Sequence, residues 1–316
     1  MRRRTEPANP EISAEFAAGV ALAGEHATAE LVDGLNAEGV DPIVLKGPAT
    51  SNWLRPNSGR YSTDIDLLVS PESTEAAEAF LQREGYSRLL RNDPASHAAT
   101  WVKDGAFAVD VHHTVVGIVT DPATVWNVLS SSTERMLIGG RECTVLNGGG
   151  RTLNIVLHAA QHGPSDPRVV EDLAALLDRD SHSELSEAIT LANRLAATSA
   201  FAAGLCVDPR GPDLIASLGL QPVSTTEAAL RAAGAPDVAL GVARFGAAGG
   251  WRARLRLASD ELAPPPDFMR IWHPLARNGR LGLVAAYAYR PLWLTAKLPN
   301  AVRAYVRARR AVRSND

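Results

Sequence analysis

The stretch Asp64-Ile65-Asp66-Leu67-Leu68-Val69 has the apolar composition of a buried strand and opens with two carboxylates. Residues two apart on a strand share a face, so Asp64 and Asp66 project to the same side. Two such charges about 4 Å apart repel by roughly 4 kcal/mol at an effective dielectric near 20, a cost that a divalent cation reverses. Mg²⁺, or Mn²⁺ in its place, suits the pair because it prefers oxygen ligands and is commonly held by a few carboxylates together with substrate phosphates.

Working outward, Pro42 to Leu45 reads as a short strand, and Lys46-Gly47-Pro48 turns the chain into a helix carrying Trp53 and Leu54. Pro48 suits the first helical position, where its missing N–H has no partner to lose. Lys46 and Gly47 then offer a cation and a close-approaching backbone to phosphate groups, and Arg60 is spaced to reach the same groups. Downstream, Ser70-Pro71 opens a helix that ends at Gly85. Asp104-Gly105 and Gly139-Gly140 each mark a hairpin. Asp110 lies inside the apolar strand Phe107 to Val111, where an unpaired charge is costly unless it faces the same cation.

The order of these pieces carries more weight than any one of them. Ile43-Val44-Leu45-Lys46-Gly47, Arg60 with Asp64-Ile65-Asp66-Leu67-Leu68-Val69, and Val109-Asp110-Val111-His112 resemble the polymerase-beta-like nucleotidyltransferases. The likeness is to a bacterial branch of uncharacterised members in which Lys-Gly replaces the usual Gly-Ser, and it spans roughly Pro42 to Asp172. The resemblance implies an α/β (α+β) nucleotidyltransferase-type domain with a mixed sheet, and a requirement for Mg²⁺. It implies Asp64, Asp66 and Asp110 as catalytic, metal-holding carboxylates. Lys46, Gly47 and Arg60 would handle the NTP, such as ATP. Transfer of a nucleoside monophosphate to a hydroxyl or similar group on a small molecule, a natural-product intermediate or a protein would release pyrophosphate. The serine contact to the triphosphate has no direct match here.

His112 follows Asp110 at strand spacing and can face the same site. His158 and His162, four apart on a helix predicted over 154–162, are read with Asp172 as lining for an acceptor pocket. Two alternatives remain open. One is a catalytically silent relative that binds nucleotide for regulation. The other is a zinc-dependent hydrolase using His158 and His162, although Ala159 stands where a zinc peptidase helix needs its glutamate.

A length of 316 residues, with 46% hydrophobic and 21% charged residues, suits a folded protein of ordinary globular type. The expected organisation is an N-terminal helical segment over 1–40, a catalytic domain over 41–150 and a mostly helical domain over 151–316 with a basic tail. A net charge of −3, with no basic stripe interleaved with aromatics, argues against sequence-specific nucleic acid as a partner. Cys143 and Cys206 are too few for a disulfide framework and fit a reducing cytoplasm. The tail arginines 303, 307, 309, 310 and 313 are read as a solvated terminus in preference to a peripheral membrane contact. Leu281 to Leu298, interrupted by Arg290, Pro291 and Lys297, is read as a buried helix pair.

Overall fold

The computed structural model describes residues 14–56, 62–90, 97–179, 182–221 and 223–313. Arg60 lies outside the described residues. Seven strands form one mixed sheet: β1 Ile43–Val44, β2 Asp64–Leu68, β3 Ser87–Arg88, β4 Ala98–Val102, β5 Ala108–His112, β6 Thr133–Ile138 and β7 Arg141–Leu146. Their spatial order is β3-β4-β5-β2-β1-β7-β6. Pairs β4–β5 and β6–β7 are antiparallel hairpins turning at the two predicted glycine dipeptides, and β2–β5 and β1–β7 run parallel.

Strand alternation sorts the sheet into two faces. Val44, Ile65, Leu67, Val109, Val111 and Val145 pack with α1 (Ala14–Ala37) and the helix that follows α2 (Pro48–Leu54), namely α3 (Thr74–Arg83). Ile43, Leu45, Leu68 and Leu146 face the opposite cluster, built from α4 (Pro122–Ser130), α5 (Gly148–His162), α6 (Pro167–Leu177), α7 (His182–Arg194), α8 (Thr198–Leu205) and α9 (Gly211–Ser217). Because Asp64, Asp66, Asp110 and His112 alternate with the first set, they belong to the second face. That is the face α5 covers.

Helix α5 starts earlier than the sequence pattern suggests. Asn147 caps it by accepting from the Gly150 N–H at 2.9 Å, so Gly148-Gly149-Gly150 forms its first turn. The glycines allow the turn to sit close to Glu184 and Glu187 of α7. Farther along, α5 is crossed by α8 so closely that a Cβ on Gly204 would lie 1.9 Å from the Val156 carbonyl oxygen.

The remainder is helical, as expected: α10 (Thr226–Ala232), α11 (Asp237–Ala247), α12 (Trp251–Leu262), α13 (Pro266–Trp272) and α14 (Gly279–Arg313). Leu230, Leu240, Ala243, Ala301 and Ala308 make a separate small core between α10, α11 and α14. The expected buried helix pair over 281–298 is corrected here. The segment is one continuous helix with Pro291 and Pro299 inside it, and much of its surface is exposed. A proline removes a single ladder bond, and flanking turns that pack on α10, α11 and α13 keep the helix continuous through that loss. Among the described residues, no helix is long and apolar enough to cross a membrane.

Replacing Gly204 with Val should force α5 and α8 apart. An urea titration followed by circular dichroism is expected to show a loss of about 3 kcal/mol, the upper range for overpacking. An unchanged midpoint would mean that the α5–α8 crossing is not a tight contact.

Candidate active site

The edge of β1 sets the site. The Leu45 N–H donates to the Asp66 carbonyl at 3.0 Å, extending the antiparallel β1–β2 pairing by one residue and bringing Lys46 alongside Asp66. Lys46 Nζ then donates to Asp66 Oδ1 at 2.9 Å. On the other side of β2, the parallel register sets Asp66 beside Asp110 and Leu68 beside His112. His112 Nε2 lies 2.8 Å from the same Asp66 Oδ1, and its Nδ1 lies 3.3 Å from the Thr114 carbonyl.

Asp66 is 3% exposed. Burial pushes its pKa up, but the His112 hydrogen bond and the Lys46 charge outweigh that and hold the carboxyl well below the usual carboxylate range. Its ionised form is thus the one the fold is built around. The His97 ring lies tilted against that of His112 with centroids 5.3 Å apart, and its pKa is lowered to about 4, chiefly by burial, with the neighbouring His112 and Lys46 adding to the shift.

Asp110 is the carboxylate with something missing. Its Oδ1 is buried and accepts no hydrogen bond from the protein. Ligand atoms of Asp66, Asp110 and His112 all fall within 4.8 Å of one another, and this is the only grouping of its kind among the described residues. An orphaned carboxylate oxygen beside a second carboxylate is an oxygen-rich arrangement that fits a hard divalent cation. Asp64 is outside that grouping and accepts a hydrogen bond from the Ser62 hydroxyl.

Gly47 holds φ 61°, ψ −126° as it leads into α2, a backbone conformation that a side chain would strain. Beside it opens a cavity of about 280 Å³ lined by Lys46, Gly47, Asp64, Asp66, His158 and Asp172, with Arg55, Asn154 and Arg168 completing the wall. Asp172 is paired with Arg55 at 2.6 Å, tying α6 to the end of α2. Asn154 Nδ2 donates to the Leu45 carbonyl at 2.9 Å, which fixes α5 to the strand that delivers Lys46. On α2, the Trp53 ring takes the guanidinium groups of Arg151 and Arg179, 4.9 and 4.3 Å from its centre.

The structure therefore brings Lys46, Gly47, Asp64, Asp66, His158 and Asp172 to one cavity, with Asp110 and His112 beside Asp66. His162 meets the His158 ring edge to face, with centroids 4.4 Å apart, but lines a different pocket, with Arg231 and Asp237. His158, His162 and Asp172 form no metal-holding grouping. Arg55 and Asn154 escape a reading of the sequence. No motif marks them, and only the approach of α5 and α6 gives them a place at the site.

A family described as uncharacterised nucleotidyltransferases has a sequence profile that matches residues 15–208. Among solved structures, the chain is similar to the antibiotic-resistance factor ANT(2'')-Ia in solution, at 14% identity over 55% of this chain and 93% of that one, with a TM-score of 0.42. It is also similar to an antigenic nucleotidyltransferase-like protein from Paracoccidioides brasiliensis, at 12% identity over 63% and 94% of the two chains, with a TM-score of 0.33. No curated protein matches the chain. The profile match extends over more than half of the sequence, from α1 through the sheet to the end of α8, and the chain belongs to the family of uncharacterised nucleotidyltransferases.

Proposed function

We propose that this protein transfers a nucleoside monophosphate from an NTP to a hydroxyl or similar group of an acceptor, with Asp64, Asp66 and Asp110 as the essential carboxylates. The observation that supports this most is the orphaned Asp110 Oδ1 beside Asp66, which lines the same cavity as Lys46 and Gly47. We further propose that 41–150 is the catalytic unit and that 151–316 is a helical unit whose first helices close the pocket.

Asp66 and Asp110, joined by Asp64 at the cavity wall, would hold Mg²⁺ or Mn²⁺, which supplies charge neutralisation for the triphosphate and lowers the pKa of an acceptor hydroxyl. Lys46 is bonded to Asp66 and sits next to Gly47, so its ammonium can turn to phosphate oxygens once Asp66 has another counter-charge. Gly47, with no side chain, lets those phosphates come close to the backbone. His158 and Asp172, from α5 and α6, stand on the cavity wall where an acceptor would sit. In the reaction, the acceptor hydroxyl gives up its proton to solvent as its oxygen bonds to the α-phosphorus, the bond from the α-phosphorus to the α–β bridging oxygen breaks, and pyrophosphate departs with that oxygen.

One observation favours a second reading, a nucleotide-binding relative without transfer activity. Asp66 Oδ1 already takes contacts from both Lys46 and His112, leaving it less free for a cation than an unpartnered carboxylate.

Pyrophosphate release from each NTP with cell extract and Mg²⁺ or Mn²⁺ separates the two. Transfer predicts metal-dependent release that Asp66→Asn and Asp110→Asn each lower by about 100-fold or more. Nucleotide binding by calorimetry without release under any condition would move the assignment to the regulatory relative, and no binding would overturn both. Lys46→Ala should weaken NTP binding by about 10- to 100-fold, the worth of a charge-assisted hydrogen bond.

A separate measurement addresses the cation. Titrating Mn²⁺ into nucleotide-free protein, followed by electron paramagnetic resonance, should show binding that Asp110→Asn removes. Lys46→Ala should strengthen it by freeing Asp66 from its internal counter-ion. Equal Mn²⁺ affinity in all three proteins would place the cation elsewhere.

A further inference from the structure

Helix α14 presents an unusual surface. Leu281, Val284, Ala285, Ala288, Leu292, Thr295, Ala296 and Pro299 recur every three or four residues, which puts them on one face, and every one of them is exposed. Leu281, Val284 and Leu292 are 87%, 66% and 69% exposed. At 1.5 Å per residue this uncharged stripe runs about 27 Å. An apolar groove of about 460 Å³ opens along its edge between α11, α12 and α14, where Thr295, Leu298 and Val302 meet Phe245 and Leu262.

Charge surrounds the stripe on one side of the balance only. Between 251 and 313 there are 13 Arg and Lys against 3 Asp and Glu, in a chain whose net charge is −3. No acidic residue occurs anywhere in α14. The stripe continues toward the C-terminus into Val302 and Val306, set among the exposed Arg303, Arg307, Arg309, Arg310 and Arg313.

We propose that this face of α14 docks on the surface of an anionic bilayer. The helix would lie in the plane of the headgroups, with Leu281, Val284 and Leu292 reaching the acyl boundary and the arginines meeting lipid phosphates and carboxylates. The charge pattern selects this occupant. A second copy of the chain would bring one strongly cationic surface against another. A nucleic acid would satisfy the arginines but leave the leucines facing water. An anionic membrane satisfies both. The arginines read from sequence as a solvated tail thus continue an apolar face, which is a pattern that the fold exposes.

The test is co-sedimentation of the full chain with phosphatidylcholine vesicles, with and without about 30% phosphatidylserine. We expect partitioning that depends on the anionic lipid and falls with added salt. Leu281→Asp with Leu292→Asp should reduce it by about tenfold or more, as should Arg309→Glu with Arg310→Glu. All these positions are exposed, and an unchanged far-ultraviolet circular dichroism spectrum verifies folding. The proposal is overturned if the wild type fails to partition, or if the leucine variant partitions equally. It is also overturned if the wild type is a dimer that the leucine variant makes monomeric. Binding to single-stranded DNA that the arginine variant loses and the leucine variant keeps would overturn it too.

Discussion

A single ionised carboxylate, that of Asp66, imposes the main constraint on this fold. Removing such a charge from water costs several kcal/mol unless partners are fixed around it, and stripping one partner from a buried pair costs about 3–5 kcal/mol. The fold supplies those partners from both neighbouring strands, with Lys46 arriving from the end of β1 and His112 from β5. The order β5-β2-β1 at the middle of the sheet is what makes that possible. A one-residue slip of β2 against either neighbour would turn the carboxylate toward the apolar cluster beneath α1 and α3.

Around that charge the helical layers act as a clamp. Helix α5 is buried along nearly its whole length and bonds through Asn154 to the carbonyl just before Lys46. Helix α6 reaches the end of α2 through Asp172 and Arg55, and Arg179, just beyond α6, donates to the Trp53 carbonyl at 2.8 Å. These contacts tie the segment carrying Lys46 and Gly47 to helices more than 100 residues away in sequence. The wall that faces the carboxylates therefore comes from the helical half, whereas the carboxylates come from the sheet.

The C-terminal helices obey a different logic. Their small core is formed largely of alanines, which lets α10, α11 and α14 approach closely but leaves the larger apolar side chains of α14 outside it. The chain is thus uneven electrically as well as structurally, with 13 of its 32 Lys and Arg but only 3 of its 35 Asp and Glu between 251 and 313. Long-range electrostatic asymmetry of this kind acts on association and orientation, and leaves the packing of the core to apolar contacts.

Much was legible in the residues alone. The apolar runs around the carboxylates in 64–69 and 107–112, the glycine dipeptides of two hairpins and the proline after Gly47 are local signals, and local signals survive without knowledge of the partner. They were sufficient for a mixed sheet, for a helical second half and for three aspartates on one face. Tertiary structure alone decided which aspartates sit together, because Asp66 and Asp110 meet through a parallel pairing that no local pattern encodes, while Asp64 turns to Ser62. It alone supplied Arg55 and Asn154, separated His162 from the pocket, and exposed the α14 stripe. Whether an apolar helical face is buried depends on what packs against it, and that is a property of the assembled chain.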